Sequence, residues 1–251
     1  MKITFVGVGS AFTLHDYQSN LLIEEGGKRF LLDCGTDIRH ALHALHLGYN
    51  DVDAVYISHL HADHCGGLEW LAFSNFFDSG GNKPALYMHP SVQSLLWEHS
   101  LAAGLRSLGK RDALLSDYFK VHGVSLSFRW MGITFKLIKT EHVQNNGLWM
   151  PSYGLFIIYK KHRIFITTDA QFRPLPFKKY YEAAHVIFHD CELRDPPSEV
   201  HAHYTQLCSL PSLIRKKIWL YHYQTSLSSQ FQPQKDGFNG FVERGQLFDF
   251  S

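Results

Sequence analysis

The sequence has no long hydrophobic run and almost no net charge. Its apolar stretches are all well short of the roughly 20 residues that a membrane-spanning helix needs, so no membrane partner is expected. It carries 24 Lys and Arg residues against 23 Asp and Glu residues, a formal charge of +1. A chain that wraps nucleic acid usually has a strongly basic surface, so extended RNA binding is not expected. Residues 1–7 are apolar but too few for the core of a signal peptide, which favours a cytoplasmic protein.

Cysteine is also scarce, and its placement excludes two kinds of site. The four cysteines are Cys34, Cys65, Cys191 and Cys208, and none of them forms a CxxC pair. This spacing provides neither a disulfide framework nor a cysteine-based zinc site, and buried, reduced thiols are expected. Histidine, by contrast, is abundant. With 17 histidines in the chain, the question is whether some of them lie at metal-ligand spacing.

Length and hydrophobic patterning predict one α/β domain over residues 1–251. The chain is 45% apolar and contains no linker, low-complexity tract or repeat. Short β-type runs alternate with helical periodicity in the first half, and β-type runs dominate from residue 124. Two βαβ-like halves of this kind favour a sandwich of two sheets with helices outside, an αββα arrangement. The predicted strands cover residues 3–8, 19–24, 29–32, 52–57, 85–88, 125–130, 133–140, 152–159, 163–168, 185–189 and 218–221.

Helix signals lie between these strands. Thr36 is the predicted N-cap of a first helix that ends near Gly48. The region 224–238 is predicted to be irregular because it is rich in Gln, Ser and Pro. The predicted helices cover residues 36–47, 66–77, 91–107 and 205–214.

The strongest chemical signal is a run of four metal-competent side chains, His59, His61, Asp63 and His64. They directly follow the predicted strand 52–57, so they lie in the loop at its carboxyl end, where the ligand sites of α/β sheets cluster. Because His59 and His61 are two residues apart, their imidazoles point the same way in an extended segment. Asp63 and His64 come as the chain turns into the next helix, and they can face a second ion beside the first.

The H-x-H-x-D-H spacing of this run resembles the signature of the metallo-β-lactamase superfamily, whose fold is an αββα sandwich. The remaining ligand positions of that superfamily match His142, Asp169 and His222, each at the end of a predicted strand. Asp33 resembles the superfamily's first-motif aspartate, which supports the site without binding metal.

The resemblance implies two divalent metal ions. The implied ligands of one ion are His59, His61 and His142, those of the other are Asp63, His64 and His222, and the bridging carboxylate is Asp169. Imidazole and carboxylate ligands without thiolate favour zinc, with manganese and iron as alternatives. A water held between two such ions loses a proton near neutral pH and becomes the nucleophile. Asp63 is counted as a catalytic residue as well as a ligand.

A second motif indicates the reaction. The segment His201-Ala-His203-Tyr-Thr-Gln206 resembles the H-S-T-x-x-Q element of the tRNase Z branch, which cleaves phosphodiesters. Alignment on Gln206 places His201 on that branch's functional histidine. Because the alkoxide expelled from a phosphodiester needs a proton, His201 is the predicted general acid, oriented by Asp190 or Glu192. His203 is its competitor, and both His203 and Tyr153 are predicted to bind substrate.

Two departures from tRNase Z favour a small substrate. Only 26 residues separate His142 from Asp169, and two strands of the fold are expected to fill them, which leaves no room for the long tRNA-gripping arm. His203 also stands where that branch has threonine. The sequence therefore looks most similar to armless cyclic-nucleotide phosphodiesterases such as the phage anti-Pycsar enzymes, which destroy cyclic pyrimidine signals. Members of this branch are commonly homodimers.

Alternatives remain open at this point. The alternative functions are a tRNA 3′-end endonuclease, a hydrolase acting on a lactone, thioester or organophosphate, and a binding module that uses metal only to hold its loops. For a cyclic nucleotide, the base would be recognised by aromatic side chains near the mouth of the site. The candidates for this contact are Tyr153, Trp149, Phe172 and Tyr223.

Overall fold

The computed structural model describes residues 1–109 and 111–251, which form two compact units. The first unit comprises Met1–Gly7, Tyr17–Ser125 and Gly245–Ser251, and the second comprises Val8–Asp16 and Leu126–Arg244. Each unit is built around one seven-stranded sheet, as expected for a mixed α/β protein with two sheets. The organisation of residues 1–251 as one domain stays a prediction.

The sheet of the first unit is antiparallel at one side and parallel at the other. Its strands run in the order β16-β1-β2-β3-β4-β5-β6, with parallel pairing from β3 to β6. The β2–β3 hairpin turns through Gly26 and Gly27, both at positive φ. The strands are β1 (Lys2–Gly7), β2 (Asn20–Glu25), β3 (Lys28–Leu32), β4 (Ala54–Ile57), β5 (Ala85–Met88), β6 (Lys120–Gly123) and β16 (Leu247–Asp249).

The helices of the first unit correct two predictions. The helix predicted over residues 91–107 is interrupted by a π-helical turn at Trp97–Leu101. Thr36 is not an N-cap, because its hydroxyl donates to Gln18 Oε1 at 2.8 Å and the helix begins two residues later. The helical segments are α1 (Ile38–Ala44), a 3₁₀ turn (Tyr49–Asp51), α2 (Ala62–Cys65), α3 (Leu68–Phe77), α4 (Pro90–Leu96), α5 (Ala102–Leu105) and α6 (Leu115–Tyr118).

The sheet of the second unit has the order β15-β14-β13-β12-β11-β8-β7. Pairing is antiparallel from β7 to β12 and parallel from β12 to β15. A separate hairpin is formed by β9 and β10. The strands are β7 (Ser127–Trp130), β8 (Ile133–Lys139), β9 (Gln144–Asn145), β10 (Leu148–Trp149), β11 (Tyr153–Tyr159), β12 (His162–Ile166), β13 (Val186–Asp190), β14 (Ile218–Tyr221) and β15 (Gly240–Phe241).

The β9–β10 hairpin corrects the expectation that only two strands lie between His142 and Asp169. Its turn residues, Asn146 and Gly147, have φ values of 49° and 79°. Two consecutive left-handed residues are the requirement of a type I′ turn, and Asn-Gly is its preferred sequence. The Asn-Gly dipeptide was therefore a readable hairpin signal, although each strand is only two residues long.

Two α-helices of the second unit are only four residues long. The helix predicted over residues 205–214 is two separate turns, and Pro211, which cannot continue a helix, stands at the N-cap of the second. The region 224–238 contains a 3₁₀ helix at Thr225–Gln230. Within the described residues, no helix is both long and apolar enough to cross a membrane. The α-helices are α7 (Pro174–Ala183), α8 (Tyr204–Leu207) and α9 (Ser212–Arg215).

Buried strands carry the predicted site residues in both units. In the first unit β3 and β4 are parallel neighbours, and Asp33 and Ser58 follow their carboxyl ends. In the second unit β13 and β14 are parallel, so Asp190 and His222 come to the same edge of the sheet. Every residue of β4 is buried, which matches its prediction as a short interior strand.

Candidate active site

The histidine cluster of the first unit is compact and largely buried. His59 and His64 are almost inaccessible to solvent, and His61 is half-buried. The Nε2 atom of His59 lies 3.1 Å from Nδ1 of His61. Nε2 of His64 lies 3.2 Å from Oδ2 of Asp63. The four predicted ligands of this unit therefore form two pairs of neighbouring donor atoms.

Asp33 orients this cluster through hydrogen bonds. Its carboxylate accepts from the backbone N–H and the hydroxyl of Ser58 and from Nδ1 of His64, each at 2.8 Å. The Ser58 hydroxyl oxygen in turn lies 2.9 Å from Nδ1 of His59. Since these contacts use the Nδ1 atoms, Nε2 of His59 and of His64 carries the lone pair that a metal requires. These contacts agree with the supporting role that the resemblance implies for Asp33, which stays a prediction, whereas Ser58 was missed from the sequence.

The predicted ligands of the second unit surround Asp169. Nε2 of His142 lies 3.5 Å from Oδ2 of Asp169, and Nε2 of His222 lies 3.5 Å from Oδ1 of the same carboxylate. All three side chains are buried. The Nδ1–H of His142 donates to the backbone oxygen of Val200 at 2.8 Å, which leaves its Nε2 facing Asp169. Burial, opposed by the charge of Asp169, lowers the pKa of His142 to about 4, so the ring is neutral.

Three residues of the candidate site have a left-handed backbone conformation. Asp33, Thr168 and His222 all have positive φ, at 63°, 51° and 61°. A β-branched residue such as Thr168 rarely adopts this conformation, so the surrounding structure must hold it there. Left-handed residues of this kind cluster at functional sites, and Thr168 immediately precedes Asp169.

His201 is paired with Asp190. Its Nδ1 lies 2.8 Å from Oδ2 of Asp190, and the same oxygen accepts from the backbone N–H of Ala170 at 2.9 Å. Burial acts to lower the pKa of His201, but the charge and the hydrogen bond of Asp190 outweigh it and raise that pKa. Glu192, the other orienting residue weighed from the sequence, instead accepts hydrogen bonds from Ser198.

Asp190 links the candidate acid to a candidate ligand. Its Oδ1 lies 3.4 Å from Nδ1 of His222. The donor atoms of Asp169, Asp190, His201 and His222 all lie within 4.8 Å of one another. The signal for Asp190 in the sequence was its position at the end of a strand, but that position did not reveal that one carboxylate contacts two histidines.

The two predicted substrate-binding residues have structural contacts of their own. His203 is the N-cap of α8, where its Nδ1 lies 2.8 Å from the Thr205 hydroxyl and its backbone N–H donates to Gln206 Oε1. Tyr153 is the first residue of β11, opposite Lys139 in the sheet. Substrate contact by either residue stays a prediction.

The donor atoms have the spacing that metal ligands need. In a tetrahedral zinc site with Zn–N distances of 2.0–2.1 Å, neighbouring ligand atoms are roughly 3.3 Å apart. The four donor pairs within the two units are separated by 3.1, 3.2, 3.5 and 3.5 Å. The residues present therefore fit a divalent metal ion in both donor chemistry and spacing.

Replacing Asp190 by asparagine is expected to lower kcat by about 10- to 100-fold, the usual effect of removing a carboxylate that orients metal-bound histidine. Asparagine keeps the volume but loses the charge that holds His201 and faces His222. The kcat measured with a phosphodiester tests this. Glu192→Gln is the matched control, because Glu192 bonds Ser198 and not His201. Equal losses in both variants would contradict the assignment.

A buried hydrogen-bond chain supports Asp190 from behind. The Tyr181 hydroxyl lies 2.7 Å from Nε2 of His189, and Nδ1 of His189 lies 2.7 Å from the backbone oxygen of Asp190. Both side chains are buried, and burial lowers the pKa of His189, which keeps it neutral. The neutral ring donates a hydrogen bond through Nδ1 and accepts one from the Tyr181 hydroxyl at Nε2.

Replacing Tyr181 by phenylalanine is expected to destabilise the protein by about 1–3 kcal/mol, because Nε2 of His189 would remain buried without a hydrogen bond. Urea denaturation gives the change in the free energy of unfolding. Tyr180→Phe is the control: Tyr180 is half-buried, and its ring packs against Phe165. If the Tyr181→Phe protein were as stable as the control, the hydrogen bond from Tyr181 to His189 would contribute nothing to the free energy of unfolding.

Comparison with known proteins identifies the family. The family described as anti-Pycsar protein Apyc1 matches residues 1–248. The chain belongs to this family. The anti-Pycsar protein Apyc1 of Paenibacillus harenae is 36% identical over 238 residues, which cover 92% of this chain and 93% of the relative. The resemblance stated from the sequence is confirmed, and with it the assignment to metal-dependent hydrolases of the phosphodiesterase class.

Solved structures show the same fold. The metallo-β-lactamase fold protein YhfI of Bacillus subtilis has a TM-score of 0.75 at 18% identity, with 99% of each chain covered. The short form of human tRNase Z has a TM-score of 0.72 at 18% identity, with 100% of each chain covered. The predicted metallo-β-lactamase fold class is therefore confirmed for the Apyc1-family chain.

Proposed function

We propose that this Apyc1-family protein is a dinuclear metal-dependent phosphodiesterase that hydrolyses cyclic mononucleotides. The observation that carries the proposal is the His201–Asp190 pair, which lies in the same cluster as Asp169 and His222, where His201 could serve as the proton donor. A hydrolase that cleaves only activated bonds does not need such a donor. A phosphodiesterase does, because its leaving group is an alkoxide.

The candidate ligands sort into two groups that share Asp169. The resemblance assigns His59, His61 and His142 to one ion, Asp63, His64 and His222 to the other, and Asp169 to both. Each group would hold one divalent ion, with zinc preferred and manganese or iron as alternatives. Bound there, the ions would supply positive charge against the phosphoryl oxygens and activate a water for attack.

The protein's own side chains would orient the imidazoles and supply one proton to the leaving group. Asp33 and Asp190 hold the Nδ1 faces of His64 and His201, which leaves both Nε2 atoms directed away from these carboxylates. His201 would donate the proton on Nε2 to the leaving oxygen, and Asp190 would stabilise the imidazolium before that transfer. Neutral His142 cannot compete as an acid, because its pKa lies far below that of His201.

The size of the cavity beside His201 supports a small substrate. This cavity has a volume of about 390 Å³, within the range of small-molecule sites. The segment after His142 forms only the two-residue strands of the β9–β10 hairpin, not a long arm. A cyclic mononucleotide agrees with these dimensions and with the family's anti-Pycsar name. A homodimer located in the cytoplasm is part of the same proposal.

Parallel assays test the proposal. Purified, metal-quantified protein is incubated with the four 3′,5′-cyclic mononucleotides and, separately, with precursor tRNA. We expect hydrolysis of at least one cyclic nucleotide and no cleavage of the tRNA. His43→Ala, which removes an exposed histidine of α1, serves as the control for the site variants and should retain full activity. Cleavage of the tRNA alone, or hydrolysis of none of the cyclic nucleotides, would overturn the proposal.

A further inference from the structure

The cavity that contains His201 is not built to bind a second phosphate. Arg173 and His201 are the only lining residues, in the described part of the chain, that can carry positive charge. The Nε atom of Arg173 lies 2.8 Å from Glu141, and its terminal nitrogen donates to Gln171 Oε1 at 3.2 Å. Its guanidinium is thus already paired within the protein. Away from His201, the cavity favours an uncharged part of a ligand.

Two of the three glutamines in the cavity wall are occupied by the protein itself. Gln171 donates through Nε2 to the backbone oxygen of His142 at 2.9 Å. Gln206 accepts from the backbone N–H of His203 at 2.9 Å. The third, Gln144, is exposed, and its side-chain amide makes no hydrogen bond within residues 1–109 and 111–251. Gln144 can therefore offer a ligand both a donor and an acceptor.

A flat apolar surface lies directly beside that amide. Trp149 is the cross-strand partner of Gln144 in the β9–β10 hairpin, and both residues line the cavity. The Trp149 ring is half-buried and stacks on no other aromatic ring of the described chain. Phe172 provides a second such ring in the wall. Glu199, which is exposed and forms no ion pair with the described residues, adds a hydrogen-bond acceptor.

We infer that this cavity binds the nucleobase of the substrate, with Trp149 stacking on the base and Gln144 and Glu199 contacting its edge. The inference rests on the proposed function and names its specificity residues. An aromatic plane next to an unpaired amide is how proteins bind single bases. Because a carboxylate accepts from an exocyclic amine, Glu199 favours cytosine and adenine over uracil.

Kinetics with and without a base test this inference. Trp149→Ala is expected to raise KM for 3′,5′-cyclic CMP by about 5- to 150-fold, the factor that corresponds to the loss of one base–aromatic stack. Its kcat should change much less, since the metal ligands and His201 are intact. With ribose 3′,5′-cyclic phosphate, which lacks the base, wild type and variant should have equal KM. Trp149→Phe keeps an aromatic plane and should recover most of the affinity.

The control variant perturbs the same hairpin on its other face. Leu148 neighbours Trp149, is 76% exposed, and projects to the opposite side of the strand. Leu148→Ala should therefore leave KM unchanged. An unchanged KM in Trp149→Ala, or an equal rise in KM for the substrate without a base, would overturn this inference and leave the proposed function standing. Failure of the wild-type protein to hydrolyse any cyclic nucleotide would overturn the proposed function and the inference together.

Discussion

Asp169→Ala is expected to lower kcat for a cyclic nucleotide by at least about 10³-fold, the equivalent of roughly 4 kcal/mol of lost transition-state stabilisation. In the proposed ligand assignment, Asp169 is the carboxylate shared by the two ions. Its two oxygens lie 3.5 Å from Nε2 of His142 and of His222, so one truncation removes a donor next to each histidine. Steady-state kinetics measures the loss of kcat, and metal analysis of the purified variant measures the loss of bound metal.

The comparison variant for this experiment is Asp112→Ala. Asp112 is exposed, lies in the first unit and is not among the candidate ligands. It should retain wild-type kcat and wild-type metal content. If Asp169→Ala folded normally and kept both its bound metal and its kcat, the ligand assignment would be wrong.

His201→Ala is expected to lower kcat by about 10²- to 10⁴-fold for a cyclic nucleotide, the range typical of a lost general acid. The loss should be roughly tenfold or less for bis-p-nitrophenyl phosphate, because a p-nitrophenolate leaves as a stable anion and needs little protonation. The two substrates share the attacking group and the ions. They differ in the leaving group, which is the part that His201 is proposed to serve.

This comparison separates an acid from a supporting residue. A His201 that only held the metal centre together would, when removed, slow both substrates by the same factor. Metal content must stay at the wild-type value for the kinetic comparison to apply. His203→Ala is the matched control, since the sequence offered His203 as the competitor and the structure uses it to cap α8. If His203→Ala lowered kcat for the cyclic nucleotide much more than kcat for bis-p-nitrophenyl phosphate, and did so more than His201→Ala, His203 would be the general acid instead.

The elements that carry the site were largely readable from the sequence. The strands predicted over residues 85–88 and 218–221 coincide with β5 and β14. Buried strands are short apolar runs bounded by polar residues, so their ends are visible in the sequence, and His222 follows such an end. The spacing of the histidine run carried the family resemblance that the comparison confirmed.

Features that depend on tertiary contacts were not readable. Thr36 has the composition of an N-cap, but its hydroxyl bonds Gln18, which is 18 residues away in the chain. The sequence left Asp190 and Glu192 as equal partners for His201. Only the fold shows that Glu192 accepts a hydrogen bond from Ser198 instead. The hydrogen bond between Tyr181 and His189 had no signal in the local sequence, because it joins residues of a helix and a strand. Long-range hydrogen bonds of this kind override local propensity.

The ion count per chain is the most direct test of the proposed centre. Protein reconstituted with zinc and freed of excess metal is analysed by inductively coupled plasma mass spectrometry, with His64→Ala as the paired sample. We expect two ions per wild-type chain and no more than one in the variant, because the proposed assignment gives His64 to only one ion. A wild-type chain that retains no zinc, or a variant that still retains two ions, would contradict it.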